Sequence, residues 1–291
     1  MKNACCESMM LLSAALLLTA LCLMSGCGSQ PIAPSKVSLT KITEQVTPEA
    51  TVQIFGKVSD NGDIKINDSV LTEIQTKEYV FPEAPTILIY HTHATEAFLQ
   101  DENYTYEESA EWRTEDNEKN IVHVGDVLKT ELELLGFNVI HDTANVEPPE
   151  LTSAYNRSLE VMKKYKDVDI YLDVHRNAAD PETVQNNAVA IDGKSCAKLF
   201  FVVGTGVGTY EGEYDAEPDW KANYAFALSV QDKIEQNAPG IMKPIRTKVG
   251  RYNQHMGMCL LAEVGNNANT MEEVLNTLPY FTEALSEVIK F

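Results

Sequence analysis

The chain has 291 residues, 44% of them hydrophobic and 23% charged, with a net charge of -20. This composition supports a large buried core and argues against a disordered chain. No run of Lys or Arg offers the basic face that a nucleic-acid binder needs, so no nucleic-acid partner is expected; an acidic surface is also repelled by anionic lipid headgroups, so a membrane link is expected at the N-terminus instead.

Residues 9–24 (MMLLSAALLLTALCLM) are almost wholly apolar and end in Ser25-Gly26-Cys27-Gly28. The stretch is shorter than the roughly 20 residues of a membrane span. Small residues around one cysteine are the layout of a secretory signal with a lipoprotein-type cleavage site. Residues 1–26 are therefore expected to be a signal peptide and Cys27 the lipidated residue; the alternative is an uncleaved N-terminal transmembrane anchor. Both readings place the rest of the protein on the extracytoplasmic face of the cell membrane. Removing residues 1–26 takes away one Lys and one Glu, so the balance stays at -20. Outside the leader and Cys27 only Cys196 and Cys259 remain, too few for a disulfide framework and suited to be buried thiols.

Residues 28–50 are polar, with three prolines, and read as a tether. Two alternating segments then flank Asn61-Gly62, a hairpin signal. Residues 27–81 are thus expected to be a tether with a small β-hairpin, and 82–291 the main domain. Within it, 87–90 predicts a strand. Residues 118–135 predict a helix with Ile121, Val124, Leu128, Leu132 and Leu135 on one face and Gly136 as its stop. Strands follow over 137–140, 167–174, 199–203 and 259–264, with helices over 152–165, 219–236 and 270–289. Strands separated by helices indicate an α/β fold with a mainly parallel central sheet flanked by helices. Residues 99–117 form a long acidic stretch carrying Tyr104, Tyr106 and Trp112, types able to stack on sugars; a solvated lid is the other reading.

The first strand runs straight into His91, His93 and Glu96 (ILIYHTHATEAF). His175 follows the third strand in YLDVHRNA, and Glu263 lies at the end of the fifth in LLAEVGNN. In open α/β sheets ligands bind beyond the carboxyl ends of the strands, so parallel neighbours would bring these three segments together. Two imidazoles and a carboxylate are a catalytic zinc ligand set, and a further carboxylate beside the water would be its base. A carboxylate within the apolar run Leu260–Val264 is costly to bury unless it is paired or functional.

These residues resemble the stage II sporulation protein P family of bacterial peptidoglycan hydrolases. The resemblance rests on IYHTHATEAF, NIVHVGDVL, FNVIHD, YNRS, DVHRNA, KLFFVVG, RYNQHMGMCLLAEVG and NTMEEV, in that order. It implies a fold like that of the zinc-dependent N-acetylmuramoyl-L-alanine amidases, Zn2+ as cofactor, peptidoglycan as substrate, and the stage II sporulation proteins D and M as partners at the engulfing membrane. Set against the strand-Asp-Pro-Gly-His pattern of those amidases, His93 rather than His91 falls on the metal. Their second ligand, a Glu at the start of the next helix, would correspond to Glu118; the sporulation family's own motif offers Glu96, which is preferred. The implied ligands are His93, Glu96 and His175, with Glu263 as base and His91 or Arg176 helping to stabilise the oxyanion. Two features depart from the family pattern: His255 stands where an acidic residue is usual, and the leader looks like a lipoprotein signal rather than a membrane helix. The expected reaction is cleavage of the amide between N-acetylmuramic acid and L-Ala in sporulation cell-wall remodelling. The alternatives are a cross-link endopeptidase, or a non-catalytic lipid-anchored peptidoglycan binder or assembly factor.

Overall fold

The computed structural model describes residues 56–59, 62–179, 185–207 and 218–291; the leader, Cys27 and the tether lie outside the described residues. A hairpin opens the described chain, β1 (Gly56–Val58) against β2 (Ile64–Ile66), with Gly62 at φ +78° beside the turn. Ile64 and Ile66 are buried in the main core, and Gly62 O accepts from Val249 N–H at 2.9 Å, so the hairpin is sewn to the domain behind it. A short helix α1 (Asp68–Leu71) and β3 (Tyr79–Val80) lead into the sheet.

The remaining elements are β4 (Thr86–Tyr90), α2 (Ile121–Leu134), β5 (Asn138–His141), α3 (Ala154–Met162), β6 (Ile170–Asn177), β7 (Ala188–Ile191), β8 (Lys194–Ala197), β9 (Leu199–Gly204), α4 (Trp220–Asn237), β10 (Arg246–Lys248), β11 (Met258–Asn266), α5 (Met271–Leu275), α6 (Leu278–Val288) and β12 (Ile289–Lys290). The central sheet has six strands in the order β10-β9-β11-β6-β4-β5. Every pairing in it is parallel except β11 with β9. The five expected strands are all present, and the expected α/β class with a mainly parallel sheet is observed. The β7–β8 hairpin and the edge strand β10 were not anticipated: both are short and lack a strong alternating signal.

The closing helix expected over 270–289 is two helices. A capping box formed by Thr270 and Glu273 starts α5. The chain then breaks at Asn276-Thr277, and Pro279, which lacks an N–H, sits in the first turn of α6, where none is needed. Asn120 caps α2 by accepting from Val122 N–H, and Gly136 (φ +94°) ends it as expected.

Alternation along the strands sorts side chains to two faces. Ile87, Ile89, Leu172, Val174, Leu260, Ala262 and Val264 join Ile121, Val124 and Leu128 of α2, Phe226 and Val230 of α4 and Phe281 of α6 in the larger core. The opposite face holds Leu88, Tyr90, Tyr171 and Cys259 against Leu159 and Met162 of α3. Cys196 and Cys259 are free, buried thiols. Among the described residues no helix is long and apolar enough to cross a membrane.

Candidate active site

The face of β6 and β11 opposite the larger core carries Asp173, His175 and Glu263, because those positions alternate with Leu172, Val174, Ala262 and Val264. Glu263 stands directly across from His175 in the parallel register of β11 on β6. Immediately beyond that pair β11 carries one extra residue, a bulge between Glu263 and Asn266 in which Gly265 takes φ +71°. The turn after β4 adds His93 and Glu96, and β4 is the other parallel neighbour of β6. Three distant segments thus meet at one end of the sheet.

His175 is 3% exposed and lies between two carboxylates: Nε2 is 2.9 Å from Asp173 Oδ1 and Nδ1 is 3.5 Å from Glu96 Oε2. Burial opposes its charge, but Asp173 and Glu96 outweigh burial and raise its pKa well above the ordinary imidazole value. Glu96 is also buried; its Oε2 accepts from Arg176 N–H at 3.0 Å and its Oε1 lies 3.7 Å from Arg113 Nη2. Burial pushes Glu96 up, yet His175, Arg176 and His93 hold its pKa down to about 2. His93 stacks edge-on to both His175 (5.4 Å between centroids) and Tyr155 (5.9 Å), with Nδ1 3.6 Å from Glu147 Oε1. Glu263 is pushed up to about 7, first by burial and then by the nearby carboxylates Glu96 and Asp173, against the pull of His175 and Arg176. Its Oε2 is enclosed without a hydrogen-bond partner among the described residues.

His91 lies elsewhere. It follows Ile87 and Ile89 onto the larger-core face, where Nδ1 meets Val174 O at 2.8 Å and Nε2 meets His141 Nε2 at 2.8 Å. Glu118 is exposed, whereas Glu96 faces His175. The Arg176 guanidinium is committed to backbone carbonyls, donating to Ala97 O and Trp112 O at 2.8 Å each. Of the aromatic residues in 99–117, Tyr104 and Tyr106 give their hydroxyls to Lys119 O and Phe98 O, and Trp112, at φ 51°, is partly exposed.

Four residues of this cluster were not anticipated. Asp173 takes hydrogen bonds from Thr92 N–H (3.0 Å) and Oγ1–H (2.7 Å) besides facing His175. The test applied to Glu263, a carboxylate in an apolar strand, would have singled it out too. Glu147 accepts from Thr95 N–H, Thr95 Oγ1–H and Arg113 Nη1 (2.5 Å), and these contacts with His93 hold its pKa low despite burial. Glu147, Arg113 and Tyr155 come from loops or helix surface with no periodic signal.

The donor chemistry suits a divalent cation. Ligands about 2.0–2.1 Å from a tetrahedral zinc sit roughly 3.3 Å apart, close to the His175 Nδ1–Glu96 Oε2 separation of 3.5 Å. Each imidazole also has a carboxylate behind one ring nitrogen, the usual support for a ligating histidine. Among the described residues, however, no three His, Cys, Asp or Glu side chains close on a common point.

The profile of the stage II sporulation protein P family matches residues 30–286. The stage II sporulation protein P of Bacillus subtilis (strain 168) is 26% identical over 218 residues, covering 69% of this chain and 50% of that protein, so the chain spans about half the length of this curated relative. Among solved structures, similarity extends to the CwlD amidase of Clostridioides difficile in complex with the GerS lipoprotein (16% identity, TM-score 0.40, 69% of this chain and 93% of that chain). It extends also to the N-acetylmuramyl-L-alanine amidase Ami1 of Mycobacterium abscessus (11%, 0.40, 70% and 96%) and the tripeptide-bound cell shape determinant Csd4 of Helicobacter pylori (12%, 0.35, 70% and 51%).

Proposed function

This chain belongs to the stage II sporulation protein P family, and on that premise we propose that it is a peptidoglycan hydrolase that cleaves the amide between N-acetylmuramic acid and L-Ala. The observation that carries this reading is the cross-strand pair Glu263 and His175, with Glu263 Oε2 enclosed and unpaired beside a buried imidazole. Such a carboxylate is costly to bury and gains a use only when something enters to share its lone pair.

In this proposal His93, His175 and Glu96 hold a divalent cation, with Asp173 and Glu147 orienting the two imidazoles from behind. Zinc bound there would polarise the scissile carbonyl and make the attacking water more acidic. Glu263 takes the proton from the attacking water at Oε2 and returns it to the departing amine. Its partial burial keeps its basicity near neutrality, so it can do both. Arg113, between Glu147 and Glu96, balances carboxylate charge and ties residues 99–117 to the site. Because the Arg176 fork is spent on carbonyls, its part is to fix the loop over the site rather than to meet an oxyanion.

The lipid anchor at Cys27, work in engulfment at the extracytoplasmic membrane face and association with stage II sporulation proteins D and M complete the proposal. The test is mass spectrometry of fragments released from purified sacculi, with and without chelator. Glycan strands freed of intact stem peptides, lost on chelation, are expected. Separated stems left on glycan would make the protein an endopeptidase, and no release would make it a binding factor.

A further inference from the structure

Three ionisable side chains outside the cluster form a continuous chain. Asp126 Oδ1 meets His141 Nδ1 at 2.9 Å, His141 Nε2 meets His91 Nε2 at 2.8 Å, and His91 Nδ1 meets Val174 O at 2.8 Å. The donors and acceptors can be assigned from the ends inward. A carbonyl only accepts, so His91 Nδ1 carries a hydrogen; a carboxylate only accepts, so His141 Nδ1 carries one. Two bare nitrogens cannot face each other at 2.8 Å, so one hydrogen lies between the two Nε2 atoms. The Asp126 carboxylate meets His141 and not His91, so the hydrogen is placed on His141, which donates it to His91 Nε2.

The rings meet because α2 approaches the sheet at Gly125. A Cβ there would lie 2.4 Å from His141 Nε2 and 2.7 Å from His91 Nε2. Asp126, the next residue on α2, supplies the carboxylate, and the last residue of β5 supplies His141, paired in register with Ile89 two residues before His91. The backbone ladder between β4 and β6 ends at Tyr90 with Asp173. The His91 side chain makes the next link by reaching Val174 O, the carbonyl just before His175.

We propose that His141 and Asp126 are positioning residues: the hydrogen bond donated to His91 Nε2 holds the ring with its Nδ1–H on Val174 O, so that the ring extends the β4–β6 pairing and sets the segment carrying His93 and Glu96 against His175. The kinetic consequence rests on the hydrolase reading above; the tautomer does not. The experiment takes the full-length protein with 15N-labelled histidine and compares the wild type with His141→Leu and His141→Gln. Imidazole 15N–1H spectra report the His91 tautomer, and turnover on sacculi gives kcat and KM. In His141→Leu the His91 ring, no longer held at Nε2, should leave Val174 O and populate both tautomers, and kcat should fall about 10- to 100-fold with KM little changed. Gln, whose amide can donate to His91 Nε2, should restore the single tautomer and bring kcat to within about threefold of wild type. A His91 that stays Nδ1–H in His141→Leu overturns the proposal, as does a Gln variant whose tautomers are mixed like those of the Leu variant. If the wild type releases nothing from sacculi, the hydrolase reading fails while the spectra still decide the role of His141.

Discussion

Glu263 and Asp173 are both acidic residues in apolar strands, yet their surroundings differ. Asp173 is met by two donors from Thr92 and by His175, while Glu263 keeps one oxygen unmatched. A matched carboxylate orients; an unmatched one is available for chemistry. Glu263→Gln is therefore expected to cut turnover on sacculi by roughly 100- to 10,000-fold while bound metal, read by elemental analysis, stays at the wild-type level. Asp173→Asn should instead lower metal affinity about 10- to 100-fold, measured by competition with a chelating dye. A second titratable group lies far from the site. Glu131 is partly buried on α2 and accepts from Thr282 Oγ1–H at 2.9 Å; burial raises its pKa, with Thr282 pulling against it and Glu283 reinforcing it. A carboxyl whose folded pKa lies above its unfolded value weakens the fold once ionised. Glu131→Gln should raise Tm at neutral pH, and the gain should shrink as the pH falls through the raised pKa. A gain that is the same at acid and neutral pH would remove this explanation.

At the level of elements, alternation decides which residues can work together. His91 and His93 are two positions apart, but the strand ends at Tyr90, and the turn beyond it sends His93 to the Asp173 face and His91 under α2. Motif spacing alone could not separate these two imidazoles; the identity of the covering helix does. Gly125 is what lets that helix come close. Gly125→Ala is expected to destabilise the protein by about 1–3 kcal/mol, read from denaturant midpoints, because the added methyl overlaps both rings. An unchanged midpoint would mean that α2 can move away without loss. The bulge in β11 shows the complementary case: Gly265 at φ +71° is legible as a glycine but not as a bulge until the register with β6 is known.

Across the whole molecule, the site exists because β4, β6 and β11 are adjacent and parallel. If the cluster binds a divalent cation only when folded, adding zinc to chelator-stripped protein should stabilise it by about 2.7 kcal/mol at 100 times Kd. The rise in Tm on titration checks this, and a flat Tm would separate the cluster from any metal.

Local pattern along the chain was enough for the strands, most helices, Gly136 as a helix stop and the nomination of His91, His93, Glu96, His175 and Glu263 as candidates, because periodicity and buried charge are properties of short segments. The antiparallel placement of β9, the divided closing helix, the turning of His91 away from the cluster and the entry of Glu147, Arg113 and Asp126 depend on which segments pack together. Those contacts join residues tens of positions apart, and their strength comes from burial and from donors matched across strands, neither of which exists until the chain has folded.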